Sequence, residues 1–363
     1  MIASPKDKIS APQATVILIN YMLAAGILTL PRTSVEKINS PDVWITVILG
    51  GVIAMIAGVI MVKLSQRYSG KTFYQYSHEI IGKWIGGVLG FIVVIYFFTL
   101  SAYEVRVLAE VTSLFLLEGT PLWAIIMPFM WIGLYLIAGG INPIARLFEL
   151  ILPITVVIFL LVISMSFGIF EIDNLRPVLG SGIMPVLKGV KSTVLAYLGI
   201  EIMLILVAFM SKPNQAVKVV LAGTAISIGF YLITVVMVIG ALSVTGVVSK
   251  TWPSIDLIRS FEITGLIFER FESFLLTIWI MQIFTTFTIS YYAAALGMAQ
   301  LFKKKITPFI FGLLPVIYII GMSPQNINDL FRLGDLVGYA ALFLFGVMPL
   351  PMLLISKWRG GKA

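Results

Sequence analysis

Apolar runs of about 20 residues recur from one end of this chain to the other, each long enough to cross roughly 30 Å of hydrocarbon. Nothing else in the sequence restricts the fold as much. Inside a bilayer no water satisfies backbone N–H and C=O groups, so spans of this length must be helices that satisfy their own main chain. The composition agrees: 59% of the 363 residues are hydrophobic and 12% are charged. A soluble domain needs about twice that charge to cover its surface. The expected fold is therefore all-α, a single transmembrane domain over residues 1–363.

The runs place spans near residues 14–31, 44–64, 84–117, 122–138 and 147–169, then 187–209, 217–242, 271–301, 307–322 and 336–355. Two shorter stretches, 73–83 and 253–262, read as helices lying in the interface. Residues 1–13 are polar and the first run ends at Pro31 without an A-x-A pattern, so a cleavable signal peptide is not expected. An even number of spans puts both termini on one side, and lysine and arginine choose that side. With the termini inside, the inner segments hold 15 Lys/Arg against Asp7, Glu79 and Glu149, a net charge of +12. The outer loops hold nine Lys/Arg against eleven acids. The formal charge of +8 is thus a membrane-topology signature, with both termini cytoplasmic, and needs no nucleic acid. Cysteine is absent, which rules out disulfides and thiolate metal sites, and a single histidine, His78, leaves no imidazole cluster. No catalytic triad, Walker motif or dinucleotide-binding glycine pattern is present, so neither an enzyme nor a resident cofactor or metal is expected.

Where ten spans form two inverted repeats of five, the ligand site lies where the first helix of each repeat unwinds. The repeats here would cover about 14–170 and 187–356. The first span carries Ala24, Ala25 and Gly26 ahead of Pro31, and the sixth carries Gly199 and the carboxylate of Glu201 near mid-membrane. Small residues at either place also suit tight helix packing. Glycine weakens a helix interior by about 1 kcal/mol, and a mid-membrane carboxylate costs roughly 2.5–3.5 kcal/mol on insertion scales. Something must offset Glu201: a cationic ligand group, a buried Lys or Arg, a proton on the carboxyl, or backbone exposed by the break. Free N–H groups and the positive end of the following half-helix can hold a ligand carboxylate, and exposed carbonyls can hold an ammonium.

The third span holds Glu104, Arg106 and Glu110. Arg106 and Glu110 are four apart and can pair on one face, whereas Glu104 is turned away from Arg106. Glu104 therefore sits at an interface, in a water-filled cavity with a proton-handling role, or against another helix. The eighth span is rich in hydroxyls, with Thr285, Thr286, Thr288, Ser290, Tyr291 and Tyr292. Hydroxyls bonding to their own helix explain many such residues; facing a shared pocket with Tyr96 and Leu100 explains them too.

Residues 26–32 (GILTLPR) resemble the first-helix motif of the amino acid–polyamine–organocation transporters. Residues 173–180 (DNLRPVLG), 269–276 (ERFESFLL) and 284–287 (FTTF) resemble, more specifically, the B subunit of spore germinant receptors. The likeness runs over nearly the whole chain. It implies a five-plus-five inverted repeat of the LeuT type with broken first and sixth helices, in the inner membrane of a bacterial endospore. It also implies sensing of a small-molecule germinant, often an L-amino acid, together with a membrane-bound A subunit and a lipoprotein C subunit. The pocket it implies lies at Ala24, Ala25, Gly26, Tyr96, Leu100, Leu198, Gly199, Thr286 and Ser290. Many relatives have Gly-Ala-Gly where this chain has Ala24, Ala25 and Gly26, so a methyl at Ala24 would narrow that pocket. An active amino-acid transporter, proton- or cation-coupled, needs the same break and cavity, and a water or ion path used in germination is a third reading.

Overall fold

The computed structural model describes residues 8–23, 26–260 and 272–359. The described chain is helical apart from loops and one bridge in which Ile9 pairs with Met210. The helices are α1 (Ala11–Leu23), α2 (Gly26–Ile38), α3 (Val43–Gln66), α4 (Phe73–Ile81), α5 (Lys83–Phe115), α6 (Leu122–Ala138) and α7 (Ile141–Ser166). They continue with α8 (Ile183–Ala196), the short α9 (Met203–Leu206), α10 (Ala216–Ser249), α11 (Pro253–Arg259), α12 (Glu272–Leu301), α13 (Thr307–Met322), α14 (Ile327–Ala341) and α15 (Pro349–Trp358).

By length and composition, α3, α5, α7, α10 and the unit from α14 to α15 can each cross a bilayer. Two bent pairs qualify as broken spans: α1 with α2, at 50°, and α8 with the segment Ile200–Phe209, at 48°. The 17-residue α6 and 16-residue α13 are shorter apolar helices, still near the minimum for a span. With α12 these make the ten expected segments, and the two breaks fall in the first and the sixth. Large apolar side chains point outward along α3 (Val52, Ile53, Ile56), α5 (Val88, Phe91, Ile95) and α6 (Trp131, Ile132). That surface suits lipid and would be costly in water. Trp84 and Trp358, both almost fully exposed, stand at span ends where amphipathic rings favour the membrane interface.

Spans at equivalent places in the two halves pack against each other: α3 on α10, and α5 on α12. The broken spans lie between them, with α1 against α7, α10 and α12 and α2 against α8, α10 and α11.

Several boundaries differ from the sequence reading. The first span does not end at Pro31, because Pro31 sits inside α2. Its missing N–H would have bonded the carbonyl of Ile27, and the hydroxyl of Ser254 on α11 donates to that carbonyl instead, at 2.9 Å. A neighbouring helix thereby supplies the bond that proline removes. The fifth span begins at Ile141 rather than near residue 147, and the tenth at Ile327 rather than 336. In both, polar residues (Arg146 and Glu149; Asp329 and Arg332) occupy the helix end and mask it from a hydropathy reading. The seventh span runs to Ser249, but Ser243 inside it has φ 61° and ψ 168°, so the axis breaks next to the expected end at residue 242. The two short stretches expected at the interface are helical, as α4 and α11; residues 261–271, which include part of the 269–276 motif, lie outside the described residues.

Candidate functional site

The breaks are held together by their own side chains. Gly199 has φ +121°, a conformation that L side chains rarely adopt, and a Cβ there would meet the Tyr21 ring at 3.0 Å and the Met22 Cα at 3.2 Å. The bend of the sixth span therefore lies directly on the last turn of α1. Past the bend, the chain resumes as a 3-10 turn, Ile200–Ile202, leading into α9. Glu201 in that turn is 1% exposed, and its carboxylate is enclosed by donors. Tyr96 donates to Oε1 at 2.7 Å, the Gly199 N–H donates to Oε2 at 2.7 Å, and Tyr21 approaches Oε1 at 3.5 Å. Tyrosine hydroxyls and the exposed backbone of the break thus supply what a buried carboxylate needs. Neither a lysine nor an arginine among the described residues contributes.

Hydroxyls of other spans fasten the carbonyls at the end of α1. Thr285 donates to the Asn20 carbonyl at 3.2 Å and Thr286 to the Tyr21 carbonyl at 3.1 Å. Tyr231 of α10 donates both to the Met22 carbonyl and, at 2.9 Å, to the Ala196 carbonyl. One residue thereby joins the two breaks. Gly26 leaves room for it, since a Cβ there would lie 2.5 Å from the Tyr231 hydroxyl.

A cavity of about 600 Å³ opens from these breaks. Its deep end is formed by Tyr21, Met22, Gly26, Leu100, Glu104, Leu198, Gly199 and Thr286. Its mouth is formed by Arg32, Glu36, Lys37, Lys188, Lys191, Asp335 and Tyr339. Arg32 and Glu36 pair at 2.7 Å across one turn of α2, and the Lys191 ammonium stands 4.6 Å from the centre of the Tyr339 ring. At the opposite end the N-terminal segment lies across the end of the sixth span. The Ile9 N–H donates to the Phe209 carbonyl and the Ser211 N–H to the Ile9 carbonyl, both at 2.9 Å. The cavity is open on the face away from the N-terminus and latched on the other.

Of the residues singled out from sequence, Gly26, Leu100, Leu198, Gly199, Thr286 and Glu104 line this cavity. Ala24 and Ala25 lie outside the described residues. Tyr96 and Ser290 do not line it. Tyr96 turns to Glu201 and packs edge-on against Phe345 at 4.9 Å. Ser290 donates to the Thr286 carbonyl at 2.5 Å and shares a hydrogen bond with Ser101 at 2.8 Å, tying α5 to α12 behind the cavity. Arg106 pairs with Glu110 at 2.8 Å and donates to the Gly321 carbonyl at 3.2 Å, away from the cavity. Leu30, Thr33 and Lys37, which continue the face of Gly26 along α2, were not singled out, nor were Lys188, Ser192 and Leu195 along α8 or Phe331, Asp335 and Gly338 along α14. Each has the three-to-four-residue spacing of a single helix face. What the sequence lacked was any sign that the three faces converge.

Three comparisons place this architecture among known proteins. The family model described as spore germination protein matches residues 8–330. The chain is 63% identical to spore germination protein YndE of Bacillus subtilis (strain 168) over 356 residues, covering 98% of each. Among solved structures it resembles MhsT in complex with L-phenylalanine, with a TM-score of 0.71 at 12% identity, over 98% of this chain and 97% of that one. It also resembles a nucleobase-cation-symport-1 family transporter in a closed conformation with bromovinylhydantoin bound. The TM-score there is 0.69 at 14% identity, over 99% of this chain and 81% of that one. The fold is the broken-helix inverted repeat of LeuT-type transporters, and the chain belongs to the spore germination protein family, a permease-like membrane family rather than a family of enzymes.

Proposed function

We propose that this protein is the nutrient-sensing membrane subunit of a spore germination receptor, and that it binds an amino-acid germinant in the cavity between the two helix breaks. The observation that carries the reading is that one cavity, open to one face, is bounded by both breaks at once. Its volume falls in the range of ordinary small-molecule sites, about 300–1,000 Å³. The first turn of α2 begins at the break with Gly26 on the cavity wall, so its unpaired N–H groups and positive dipole end favour a ligand carboxylate there. The contacts across the breaks, through Tyr231, Thr286 and Glu201, are the elements that a bound ligand would shift. Sensing then requires that the ligand prefer one arrangement of the breaks over the other. The family supports A-type and C-type receptor subunits as the partners that read this change, in the spore inner membrane with both termini on the core side.

A working amino-acid transporter with the same cavity is the second reading, favoured by the transporter fold of the structural neighbours. The test uses purified protein in detergent and in liposomes. Stabilisation against heat by one or two L-amino acids, without stoichiometric uptake into liposomes, is the outcome expected of a sensor. Stoichiometric uptake overturns sensing in favour of transport, and the absence of any amino-acid effect on the purified chain overturns the amino-acid site.

A further inference from the structure

The deep part of the cavity contains one carboxyl group that the fold leaves without a full set of partners. Glu104, on α5, is 4% exposed, and its Oε2 has no hydrogen-bond partner. No lysine or arginine among the described residues pairs with it. Arg106, two residues on, faces elsewhere and is committed to Glu110 and Gly321. The cations of the cavity stand at the mouth, where Arg32 holds Glu36 and the exposed Lys191 lies over Tyr339. Yet Glu104 lines the same cavity as Gly26, Leu198 and Gly199.

In a helix break the usual recipients for a ligand ammonium are the exposed carbonyls. Here the three protons of Thr285, Thr286 and Tyr231 are shared among the carbonyls of Asn20, Tyr21, Met22 and Ala196, with Thr285 and Thr286 also reaching the Gln282 carbonyl of their own helix. The Gly199 N–H is likewise committed, to Glu201. The hydroxyls at the breaks serve to hold the breaks together, whereas Glu104 is a buried residue of the cavity wall with one carboxyl oxygen unpartnered.

We infer that Glu104 is the counter-ion for a cationic amine of the ligand, so that the site takes a ligand with a free ammonium group and rejects its des-amino counterpart. A charge-assisted hydrogen bond of this kind is stronger than one between neutral groups. It also gives a buried, unpartnered carboxyl its missing partner when the ligand arrives, which gives the ligand a differential affinity for the state in which Glu104 is enclosed. The inference rests on the cavity being the ligand site proposed above.

The test is calorimetric and thermal-shift titration of the purified full chain with the twenty common L-amino acids and with simple primary amines. For each amino acid that binds, its des-amino acid is included. Wild type is compared with Glu104→Gln, which keeps the shape and removes the charge, and with Glu104→Asp, which keeps the charge. The expected result is a loss of roughly tenfold to a hundredfold in affinity in Glu104→Gln, a smaller loss in Glu104→Asp, and no binding of the des-amino acids to wild type. Amino-acid binding that survives in Glu104→Gln overturns the counter-ion and leaves the cavity assignment standing. Binding of amines alone, lost in Glu104→Gln, overturns the amino-acid reading and supports the counter-ion. No binding of either class overturns both. Should Glu104→Gln fail to fold, wild type decides by itself: equal binding of an amino acid and its des-amino acid overturns the inference.

Discussion

Replacing Tyr96 with phenylalanine removes one hydroxyl and nothing else from the network that holds the sixth-span break. That hydroxyl lies 2.7 Å from Glu201 Oε1, in good O–H···O range, while the second tyrosine, Tyr21, stands at 3.5 Å, beyond it. Both rings are buried and Glu201 is 1% exposed, so water does not readily replace either donor. A hydrogen bond to a carboxylate is worth about 1.5–3 kcal/mol. Tyr96→Phe should therefore cost about 2 kcal/mol of folding stability, and Tyr21→Phe under ~0.5 kcal/mol. Glu201→Gln turns an amide N–H₂ toward either the Gly199 N–H or the tyrosines, so it should be costly by itself. Combined with Tyr96→Phe it should fall short of the sum by about 1 kcal/mol, because the two changes remove one shared contact. Equilibrium unfolding in mixed dodecyl sulfate and maltoside micelles, followed by far-ultraviolet circular dichroism, measures all three quantities. Equal effects of Tyr21→Phe and Tyr96→Phe, or a strictly additive double variant, would refute the idea that Tyr96 holds the carboxylate.

Further outcomes follow from the same geometry. Gly199→Ala should destabilise by roughly 1–3 kcal/mol and weaken amino-acid binding, because alanine at φ +121° is strained and its methyl presses on Tyr21 and Met22; unchanged thermal stability would count against the bend. Arg106→Leu should cost about 2–4 kcal/mol, since it strands Glu110, which is only 26% exposed, and the Gly321 carbonyl. Arg32→Ala, at an exposed pair, should cost under ~1 kcal/mol, and the reverse order in a thermal melt would refute this assignment. Ser254→Ala should cost about 1–2 kcal/mol by orphaning the Ile27 carbonyl at the proline, and a Pro31→Ala background should abolish that cost. Because the chain has no native cysteine, Ile9→Cys with Met210→Cys should cross-link cleanly across the latch. The oxidised protein should still bind an amino acid from the open face while any uptake into liposomes stops.

The sequence by itself determined the solvent and the element type. Runs of apolar residues too long for a soluble core, and a basic excess confined to alternate loops, leave helices in lipid as the one arrangement that satisfies the backbone. It also pointed to two weak points, because Gly26 lies in the first span ahead of Pro31 and Gly199 in the sixth beside the carboxyl of Glu201. The pairing of Arg106 with Glu110 was legible too, since helical spacing is local. Whatever depended on distant segments meeting was not legible. Pro31 reads as a stop until Ser254, more than two hundred residues away, is seen donating to the carbonyl that the proline abandons. Tyr96 and Thr286 look alike as polar residues on spans. Only packing turns one toward Glu201 and leaves the other on the cavity wall, its hydroxyl spent on the Tyr21 carbonyl. Glu104 and Glu201 are both lone carboxylates within apolar spans, equal on any hydropathy scale. The tertiary structure separates them, because hydrogen bonding is short-ranged: it gives Glu201 the Tyr96 hydroxyl and the Gly199 N–H and leaves Oε2 of Glu104 buried without a partner.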